Sequence, residues 1–377
     1  MSKKIAIIFP GQGSQSVGML ADLAAAHPAV LDTFAEGSDA VGLDLWKLSQ
    51  EGPKEQLNET QNTQPALLCA GISVMRLLGQ RLSDQVVVMA GHSLGEYTAL
   101  VASGVLDLAD ATRLVAMRGQ FMQEAVPAGA GAMAAIIGLD DDKVRAVCEQ
   151  GAQGQVAAAV NFNSPGQVVV AGNAEAIARV ADLAKTAGAR RALILDVSVP
   201  SHCALMRPAA ERLAEAMQGI RFNPPQTPVL HNVNVSEASE PDAIRQLLVE
   251  QLYCPVRWVE TVEAIAGRAA IDSISAGIEL ADLWLLRFYR GIAYLGAGYG
   301  AEALDEFTAC YERRGEASAV FLDDLPTYRY AATLPYWKGR AQQAIGMAHD
   351  ARQSFMTFIA ARPEGDALAE DARERMR

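Results

Sequence analysis

The sequence is poor in the residue types that build metal and disulfide sites. Its 377 residues include only five histidines and five cysteines. The cysteines form no Cys-x-x-Cys pair and are spread along the chain at Cys69, Cys148, Cys203, Cys254 and Cys310. This spacing disfavours both a disulfide framework and a structural zinc site, and it fits a reducing compartment. We therefore expect neither a metal ion nor a cofactor.

Basic residues and long apolar runs are also scarce. The chain has 32 Lys and Arg against 44 Asp and Glu, a net charge of −12. Because phosphate binding needs a basic face, this balance argues against a nucleic-acid partner. No apolar run approaches the length of a membrane span, and the first apolar residues stop at Pro10, unlike a secretion signal. We expect a cytoplasmic protein of two or three domains without a membrane partner.

The first part of the chain alternates between strand and helix patterns. Residues 4–9 and 85–90 are apolar, β-branched runs typical of buried parallel strands. Helical spacing is predicted over 19–37, 63–81 and 108–124. Further on, helices are predicted over 204–218 and 241–253, and a short strand over 228–233. Alternation of this kind predicts an α/β domain with a parallel sheet, over residues 1–128 and 199–277.

The rhythm changes between residues 129 and 198. Strands are predicted over 133–139, 155–162, 167–172 and 189–199, and helices over 140–150 and 174–188. The order β-α-β-β-α-β is that of a ferredoxin-like subdomain. Since the flanking segments continue the larger domain, we interpret 129–198 as an insertion into it.

The last segment, 278–377, is helical in pattern and contains two similar stretches. Gly291, Ala303 and Phe307 have the same spacing as Gly339, Ala351 and Phe355. This spacing is typical of tetratricopeptide helix pairs, with an insertion around 315–330 because the two units lie further apart than adjacent repeats. A generic pair of helical hairpins is the alternative. We expect an all-α, tetratricopeptide-like tail that binds an unidentified protein partner.

Gly91-His92-Ser93-Leu94-Gly95 fits the pattern G-x-S-x-G. The pattern lies directly after a predicted strand and before a helix, which is the context of a nucleophile elbow in α/β-hydrolase-like folds. Ser93 is therefore the candidate nucleophile, and backbone N–H groups at the helix start could stabilise an oxyanion. A simple helix cap is the alternative interpretation.

A serine nucleophile needs a base, and the five histidines narrow the choice. His92 adjoins the nucleophile and its side chain should diverge from it, while His27 and His349 lie in helical segments away from the site. His202 follows a predicted strand and is the first choice. His231, at the end of another short strand, is the second.

Two further features surround the candidate elbow. The loop Gly11–Gln15 also follows a strand and could bring a second backbone amide beside Ser93. It is not a dinucleotide fingerprint, since Ser16 stands where G-x-G-x-x-G needs glycine. Arg118 lies on an otherwise apolar helix face, where a cation usually has an anionic partner. That partner could be a substrate or a structural carboxylate.

These residues belong to a set of motifs that resembles a known family. The motifs are FPGQGSQ (9–15), TQPAL (63–67), GHSLGEYTAL (91–100), MRGQFMQ (117–123), GAMAAIIGL (131–139), NFNSPGQVVVAG (161–172), VSVPSHCALM (197–206), NV (232–233) and QLYCPVRW (251–258). Together they are similar to bacterial malonyl-CoA:acyl carrier protein transacylases, over residues 1 to about 267.

The resemblance implies a two-step acyl transfer in fatty acid biosynthesis. Ser93 would attack the malonyl thioester with His202 as base, and the phosphopantetheine thiol of acyl carrier protein would then take the malonyl group. The backbone amides of Gln12 and Leu94 would form the oxyanion hole. Arg118 would hold the malonyl carboxylate.

The resemblance also implies roles outside this cluster. The main-chain carbonyl of Gln251 would orient His202 in place of a carboxylate. Because both this chain and acyl carrier proteins are acidic, docking needs a local basic patch, for which Lys185, Arg190 and Arg191 are the candidates.

One departure from the family lies near the end of the resemblance. Residues 267–284 lack the family's Gly-Pro-Gly turn, and only 269–275 could supply a short strand there. This departure leaves open a scaffold protein with a weakened transacylase domain. A serine hydrolase on the same scaffold is a second alternative, because it would have the same elbow and release acyl groups to water. The hydrolase would not need a buried cation in its acyl pocket.

Overall fold

The computed structural model describes residues 5–78, 85–127, 129–195, 199–268, 284–296, 299–313, 324–362 and 366–376. The chain divides into two compact units. One comprises Ala6–Arg268, and the other comprises Ala269–Arg377 together with Met1–Ile5. The expected boundary at 277/278 lies outside the described residues.

A parallel sheet forms the centre of the first unit. Strands β1 (Ile5–Phe9), β2 (Val86–Gly91) and β7 (Val229–Leu230) lie side by side in that order. β2 and β7 are parallel, with Met89 opposite Val229. Their apolar residues are largely buried because helices cover the sheet. The expected α/β architecture with a parallel sheet is confirmed.

Ten helices of the described chain accompany this sheet. They are α1 (Ala21–Ala26), α2 (Ala29–Val41), α3 (Leu45–Glu51), α4 (Lys54–Asn58), α5 (Thr60–Leu78), α6 (Leu94–Ala102), α7 (Leu108–Ala125), α10 (Arg207–Met217), α11 (Pro241–Gln251) and α12 (Trp258–Arg268). Fully buried leucines from α6, α7, α10 and α11 share one apolar core: Leu100, Leu114, Leu213 and Leu248. This core fixes α6, and therefore the turn that precedes it, against the sheet.

The sequence-based helix over 19–37 is wrong, because two helices occupy the region. α1 ends at Ala26, and α2 begins at Ala29 after Pro28. His27 is extended, with φ −136° and ψ 93°, since the residue before a proline is forced out of the helical region. The helix expected over 204–218 likewise begins as a 3₁₀ turn at Ala204–Met206.

A second, four-stranded antiparallel sheet is inserted into the first unit. Its strands are β3 (Gly131–Ile137), β4 (Ala157–Ser164), β5 (Gln167–Asn173) and β6 (Arg191–Ile194), in the order β4-β5-β3-β6. Two helices, α8 (Asp141–Ala152) and α9 (Ala174–Thr186), complete the chain order β-α-β-β-α-β.

The last inserted strand is shorter than the expected 189–199. Arg191–Ile194 lie opposite Ala134–Ile137 of β3, and the N–H of Leu195 adds one more hydrogen bond, to the Met133 carbonyl at 2.9 Å. Residues 196–198 lie outside the described part of the chain. β6 is an edge strand, and Ile194 is 55% exposed.

Backbone pairing joins the inserted sheet to the segment that follows α11. Val256 donates to the carbonyl of Val160 at 2.8 Å and accepts from the N–H of Phe162 at 3.0 Å. β4 is thus held on both sides, by β5 and by the core segment around Val256.

The second unit is helical over its described residues. It contains α13 (Trp284–Gly296), α14 (Gly300–Glu312), α15 (Asp324–Ala344), α16 (Ala348–Ala360) and α17 (Ala367–Arg375). The ring of Phe307 packs against Gly291, and that of Phe355 packs in the same way against Gly339. The helical nature of the C-terminal segment is confirmed. The strand considered for 269–275 lies outside the described residues.

Candidate active site

Two glycines allow β2 to turn sharply into α6. A Cβ added at Gly91 would lie 1.8 Å from the carbonyl carbon of Gly95, and one added at Gly95 would lie 2.3 Å from the carbonyl oxygen of Phe9. Neither position has room for a side chain. Between them, Ser93 adopts φ 50° and ψ −105°, a backbone conformation that is costly for a residue with a Cβ. This is the strained strand-turn-helix geometry of a nucleophile elbow.

The imidazole of His202 contacts the hydroxyl of Ser93. Ser93 Oγ lies 2.8 Å from His202 Nε2, and His202 Nδ1 lies 2.7 Å from the main-chain oxygen of Gln251. Because a carbonyl only accepts, Nδ1 carries the proton and Nε2 is free to accept the Ser93 hydrogen. The pair has the nucleophile–base geometry that covalent catalysis requires.

The surroundings of His202 keep its ring neutral. Burial, and then the positive charge of Arg118, lower the pKa of His202 to about 3. The hydrogen bond to the Gln251 carbonyl acts in the opposite direction but is outweighed. A neutral ring is the form that can accept a proton from serine.

Arg118 lies beside this pair and is 1% exposed. Its Nη1 donates to Gln64 Oε1 at 2.9 Å, and its Nη2 donates to Gln251 Oε1 at 3.0 Å and to Ser93 Oγ at 3.3 Å. Its Nε has no hydrogen-bond partner. Among the described residues no carboxylate forms an ion pair with this guanidinium, and burial lowers its pKa. A buried cation held only by neutral groups is suited to an anionic ligand.

The loop containing Gln12 lies against the elbow. A Cβ added at Gly11 would be 2.6 Å from the main-chain oxygen of His92, so the two turns are in contact. Within the described parts of the chain, the backbone N–H groups of Gln12 and Leu94 donate to no protein group. Unoccupied donors beside a nucleophile are what an oxyanion hole needs.

Two other histidines lie near the elbow, but their rings contact residues other than Ser93. His231 is fully buried, and its Nδ1 lies 2.8 Å from Glu96 Oε1 rather than near Ser93. The structure therefore does not support His231 as the base. His92 Nε2 lies 2.8 Å from Asn163 Oδ1 in β4, and burial lowers the His92 pKa.

The three basic candidates lie together at one end of the inserted sheet. Lys185, Arg190 and Arg191 are all exposed. Lys185 Nζ pairs with Asp182 Oδ1 at 3.0 Å, whereas Arg190 and Arg191 have no ion pair with any described residue. The stem of Arg190 packs over Gly138. Two free guanidinium groups thus project from the edge of this sheet.

Sequence reasoning missed four polar contributors to the site. Gln64 holds Arg118, Asn232 holds the backbone of Ser93, Glu96 accepts from Asn232, and the side chain of Gln251 links Arg118 to Glu96. Each lies within a motif that carried the resemblance. The available signal was their place within those motifs.

The described residues contain no group of three or more His, Cys, Asp or Glu side chains arranged to hold a metal ion. Within the same residues, none of the helices is both long and apolar enough to cross a membrane.

Comparisons with known proteins show the family to which the chain belongs. Residues 6–282 match the acyl transferase domain family. The malonyl CoA-acyl carrier protein transacylase of Escherichia coli K12 is 59% identical over 265 residues, which cover 70% of this chain and 86% of that protein. The Bacillus subtilis protein of the same name is 41% identical over 278 residues, covering 73% and 86%.

Solved structures give the same result. The malonyl CoA-acyl carrier protein transacylase of Coxiella burnetii has a TM-score of 0.70 and 50% identity, covering 71% of this chain and 84% of that one. A malonyl-transacylase solved in complex with its type II polyketide acyl carrier protein has a TM-score of 0.69 and 57% identity, covering 71% and 86%. The chain therefore belongs to the acyl transferase domain family, among the malonyl CoA-acyl carrier protein transacylases.

Proposed function

We propose that this chain transfers a malonyl group from malonyl-CoA to the phosphopantetheine thiol of an acyl carrier protein, through a malonyl ester of Ser93. The observation that carries the proposal is Arg118, a buried cation 3.3 Å from the Ser93 hydroxyl and without a carboxylate partner among the described residues. In a malonyl ester only one methylene group separates the ester carbonyl from the distal carboxylate. An acyl group on Ser93 would therefore bring that carboxylate towards Arg118.

In the first step the Ser93 oxygen attacks the thioester carbon while its proton moves to His202 Nε2. The 2.8 Å contact between the two atoms supports this transfer. As the tetrahedral intermediate collapses, the carbon–sulfur bond breaks and the proton on Nε2 passes to the departing CoA sulfur. The products are malonyl-Ser93, free CoA thiol and a neutral His202.

The developing oxyanion is held by the backbone amides of Gln12 and Leu94. Among the described residues neither of these N–H groups has a protein acceptor, which supports this role. The Gln251 carbonyl keeps the proton of His202 on Nδ1. A neutral carbonyl is enough for this, because accepting the Nδ1 hydrogen fixes both the tautomer and the orientation of the ring in the two half-reactions.

In the second step the carrier's thiol attacks malonyl-Ser93, with His202 again moving the proton. The acidic carrier docks on the patch formed by Lys185, Arg190 and Arg191. The two arginines contribute most, since Lys185 is already paired with Asp182.

The finer fold assignments belong to the same proposal. The first unit is α/β-hydrolase-like, supported by the elbow after β2. The insertion is ferredoxin-like, supported by its order β-α-β-β-α-β and the strand order β4-β5-β3-β6. The tail is tetratricopeptide-like, supported by the repeated Phe-on-Gly contact, and binds a protein partner of unknown identity.

Mass spectrometry after incubation with malonyl-CoA tests the proposal. The full chain should gain one malonyl group on Ser93, and addition of holo-acyl carrier protein should remove it and malonylate the carrier. Ser93→Ala should gain none. A label that persists in Ser93→Ala would rule out the nucleophile.

Two alternatives are resolved by the same experiment. A serine hydrolase would release malonate to water faster than it passes malonyl to the carrier. A scaffold with a weakened transacylase domain would form no adduct at all. The absence of a carboxylate partner for Arg118 among the described residues favours the transferase over a hydrolase of neutral esters.

A further inference from the structure

The carboxylate of Glu96 is fully buried directly behind the nucleophile. Three donors point at it. His231 Nδ1 lies 2.8 Å from Oε1, and the N–H of Asn232 and Nε2 of Gln251 both lie 2.9 Å from Oε2. A buried carboxylate surrounded by donors is well satisfied, and its removal would leave those donors without partners.

Two of these three donors belong to residues that hold the backbone of Ser93. Asn232 Oδ1 accepts from the Ser93 N–H at 2.7 Å. Gln251 Nε2 donates to the Ser93 carbonyl oxygen at 3.1 Å. The peptide groups on both sides of Ser93 are thus held by two residues that Glu96 in turn contacts: Asn232 through its backbone N–H and Gln251 through its side-chain amide.

This arrangement matters because the backbone of Ser93 is strained. Its φ of 50° and ψ of −105° persist only where surrounding contacts enforce them. Gln251 also contacts the base and the cation, through its carbonyl to His202 and its Oε1 to Arg118. Displacement of Gln251 would therefore move three functional groups at once.

We propose that Glu96, held by His231, is the positioning residue that keeps the elbow and Gln251 in the geometry needed for Ser93 acylation. The proposal rests on the function proposed above, since it concerns the same serine. Neither side chain is hydrogen-bonded to Ser93 Oγ, so both act on the reaction through Asn232 and Gln251. A displacement of reacting groups by about 1 Å can cost roughly 100-fold in rate.

His231 has a defined part in this arrangement. It is fully buried, and its Nε2 has no hydrogen-bond partner, so its described polar contact is the one to Glu96. The ring therefore satisfies the carboxylate oxygen that neither Asn232 nor Gln251 reaches. Asparagine carries an N–H donor near the place of the imidazole Nδ1 and can replace this contact, whereas phenylalanine cannot.

Four variants of the full chain test the proposal: Glu96→Gln, His231→Phe, His231→Asn and, as control, Thr112→Val. The control removes another buried hydrogen bond, from Thr112 Oγ1 to the Leu108 carbonyl, away from the elbow. Single-turnover malonylation of Ser93 is measured against malonyl-CoA concentration, and the rate is expressed per folded molecule. Reaction of Ser93 with a fluorophosphonate probe gives a second measure that does not depend on the malonyl substrate.

Glu96→Gln and His231→Phe should lower the maximal acylation rate roughly 10- to 100-fold. The malonyl-CoA concentration at half-maximal rate should rise by less than the rate falls, because neither variant removes a group that touches the substrate and Arg118 is reached only through Gln251. His231→Asn should recover most of the rate, and Thr112→Val should be unaffected. If Glu96→Gln does not fold, the contrast between the two His231 variants decides.

Rates per folded molecule within twofold of wild type for both Glu96→Gln and His231→Phe, with only stability reduced as in Thr112→Val, would overturn the proposal. Failure of the proposed function gives a different result. In that case the wild-type chain itself would not be malonylated, while the fluorophosphonate probe would still rank the variants.

Discussion

His202 Nδ1 donates to the main-chain carbonyl of Gln251 at 2.7 Å, so a neutral group occupies the place that a carboxylate fills in a Ser-His-Asp triad. Among the described residues, no carboxylate is hydrogen-bonded to this ring or paired directly with the nearby Arg118. Burial and that guanidinium therefore lower the pKa of His202 to about 3, and the base stays deprotonated well into the acidic range.

The first prediction concerns the pH dependence of acylation. Since His202 protonates only as the pH falls towards about 3, kcat/KM for malonyl-CoA should keep most of its pH 7.5 value at pH 5.5. A histidine with its ordinary pKa of about 6.5 would leave only about a tenth of the enzyme active at that pH. Arg118→Gln serves as a comparison, because loss of the cation should move the acidic limb to higher pH. An unshifted limb near pH 6.5 in the wild type would contradict the assignment.

The second prediction concerns stability. In the unfolded chain His202 takes up a proton below about pH 6.5, whereas in the folded chain it does so only near pH 3. The unfolded state therefore binds more protons between these limits, and this group lowers the free energy of unfolding by about 1.4 kcal/mol per pH unit as the pH falls. Urea unfolding of the first unit should be less pH-dependent in His202→Asn than in the wild type. An equal pH dependence of the free energy of unfolding in the two proteins would refute this prediction.

Substrate choice provides the third prediction. Arg118→Ala should reduce kcat/KM for malonyl-CoA by roughly 30-fold or more, equivalent to about 2 kcal/mol, because a buried charge-assisted contact is lost. Acetyl-CoA has no distal carboxylate and should lose far less. Equal losses for the two substrates would make Arg118 a structural residue only.

The fourth prediction concerns the carrier protein. Arg190→Glu with Arg191→Glu should raise the KM for acyl carrier protein and weaken its salt dependence, since exposed charges steer association. Lys54→Glu, a charge reversal at another exposed position, is the matched control. Malonylation of Ser93 by malonyl-CoA should not change. If it falls as much as carrier turnover, the patch is not a docking surface.

The fifth prediction concerns the tail. A Cβ at Gly339 would lie 2.7 Å from the ring of Phe355, whereas a Cβ at Gly296 meets nothing within 4 Å. Both positions are helical, so Gly339→Ala and Gly296→Ala share the gain in helix propensity and differ by the overpacking cost, about 1–3 kcal/mol. Thermal unfolding followed by circular dichroism should give a lower midpoint temperature for Gly339→Ala than for Gly296→Ala. Malonylation of Ser93 should be the same in both, because each unit has its own apolar core.

The sequence was sufficient for the elements that depend on local pattern. G-x-S-x-G after an apolar run predicted the turn at Ser93. The helical periodicity of apolar residues predicted the bounds of most helices within a few residues. The break at Pro28 was also readable from local rules, since a proline forces the preceding residue out of the helix. The error there came from giving periodicity more weight than proline.

The buried polar contacts could not be predicted in the same way. Gln64 and Arg118 are 54 positions apart, and Glu96 and His231 are 135 apart. Their pairing depends on how helices and strands pack, which no local pattern encodes. The roles given to the site residues, the carrier patch and the cytoplasmic location stay predictions.

The proposed nucleophile and the proposed base occupy backbone positions that suit glycine better than serine or histidine. Ser93 has φ 50° and His202 has φ 64°, so each side chain is present at a conformational cost of about 1 kcal/mol or more. The proposed acyl transfer accounts for the presence of these two side chains despite that cost. Without selection for activity, glycine substitutions at these positions would relieve the backbone strain and abolish activity together. Restoring the serine and the histidine would then lower the stability of the fold.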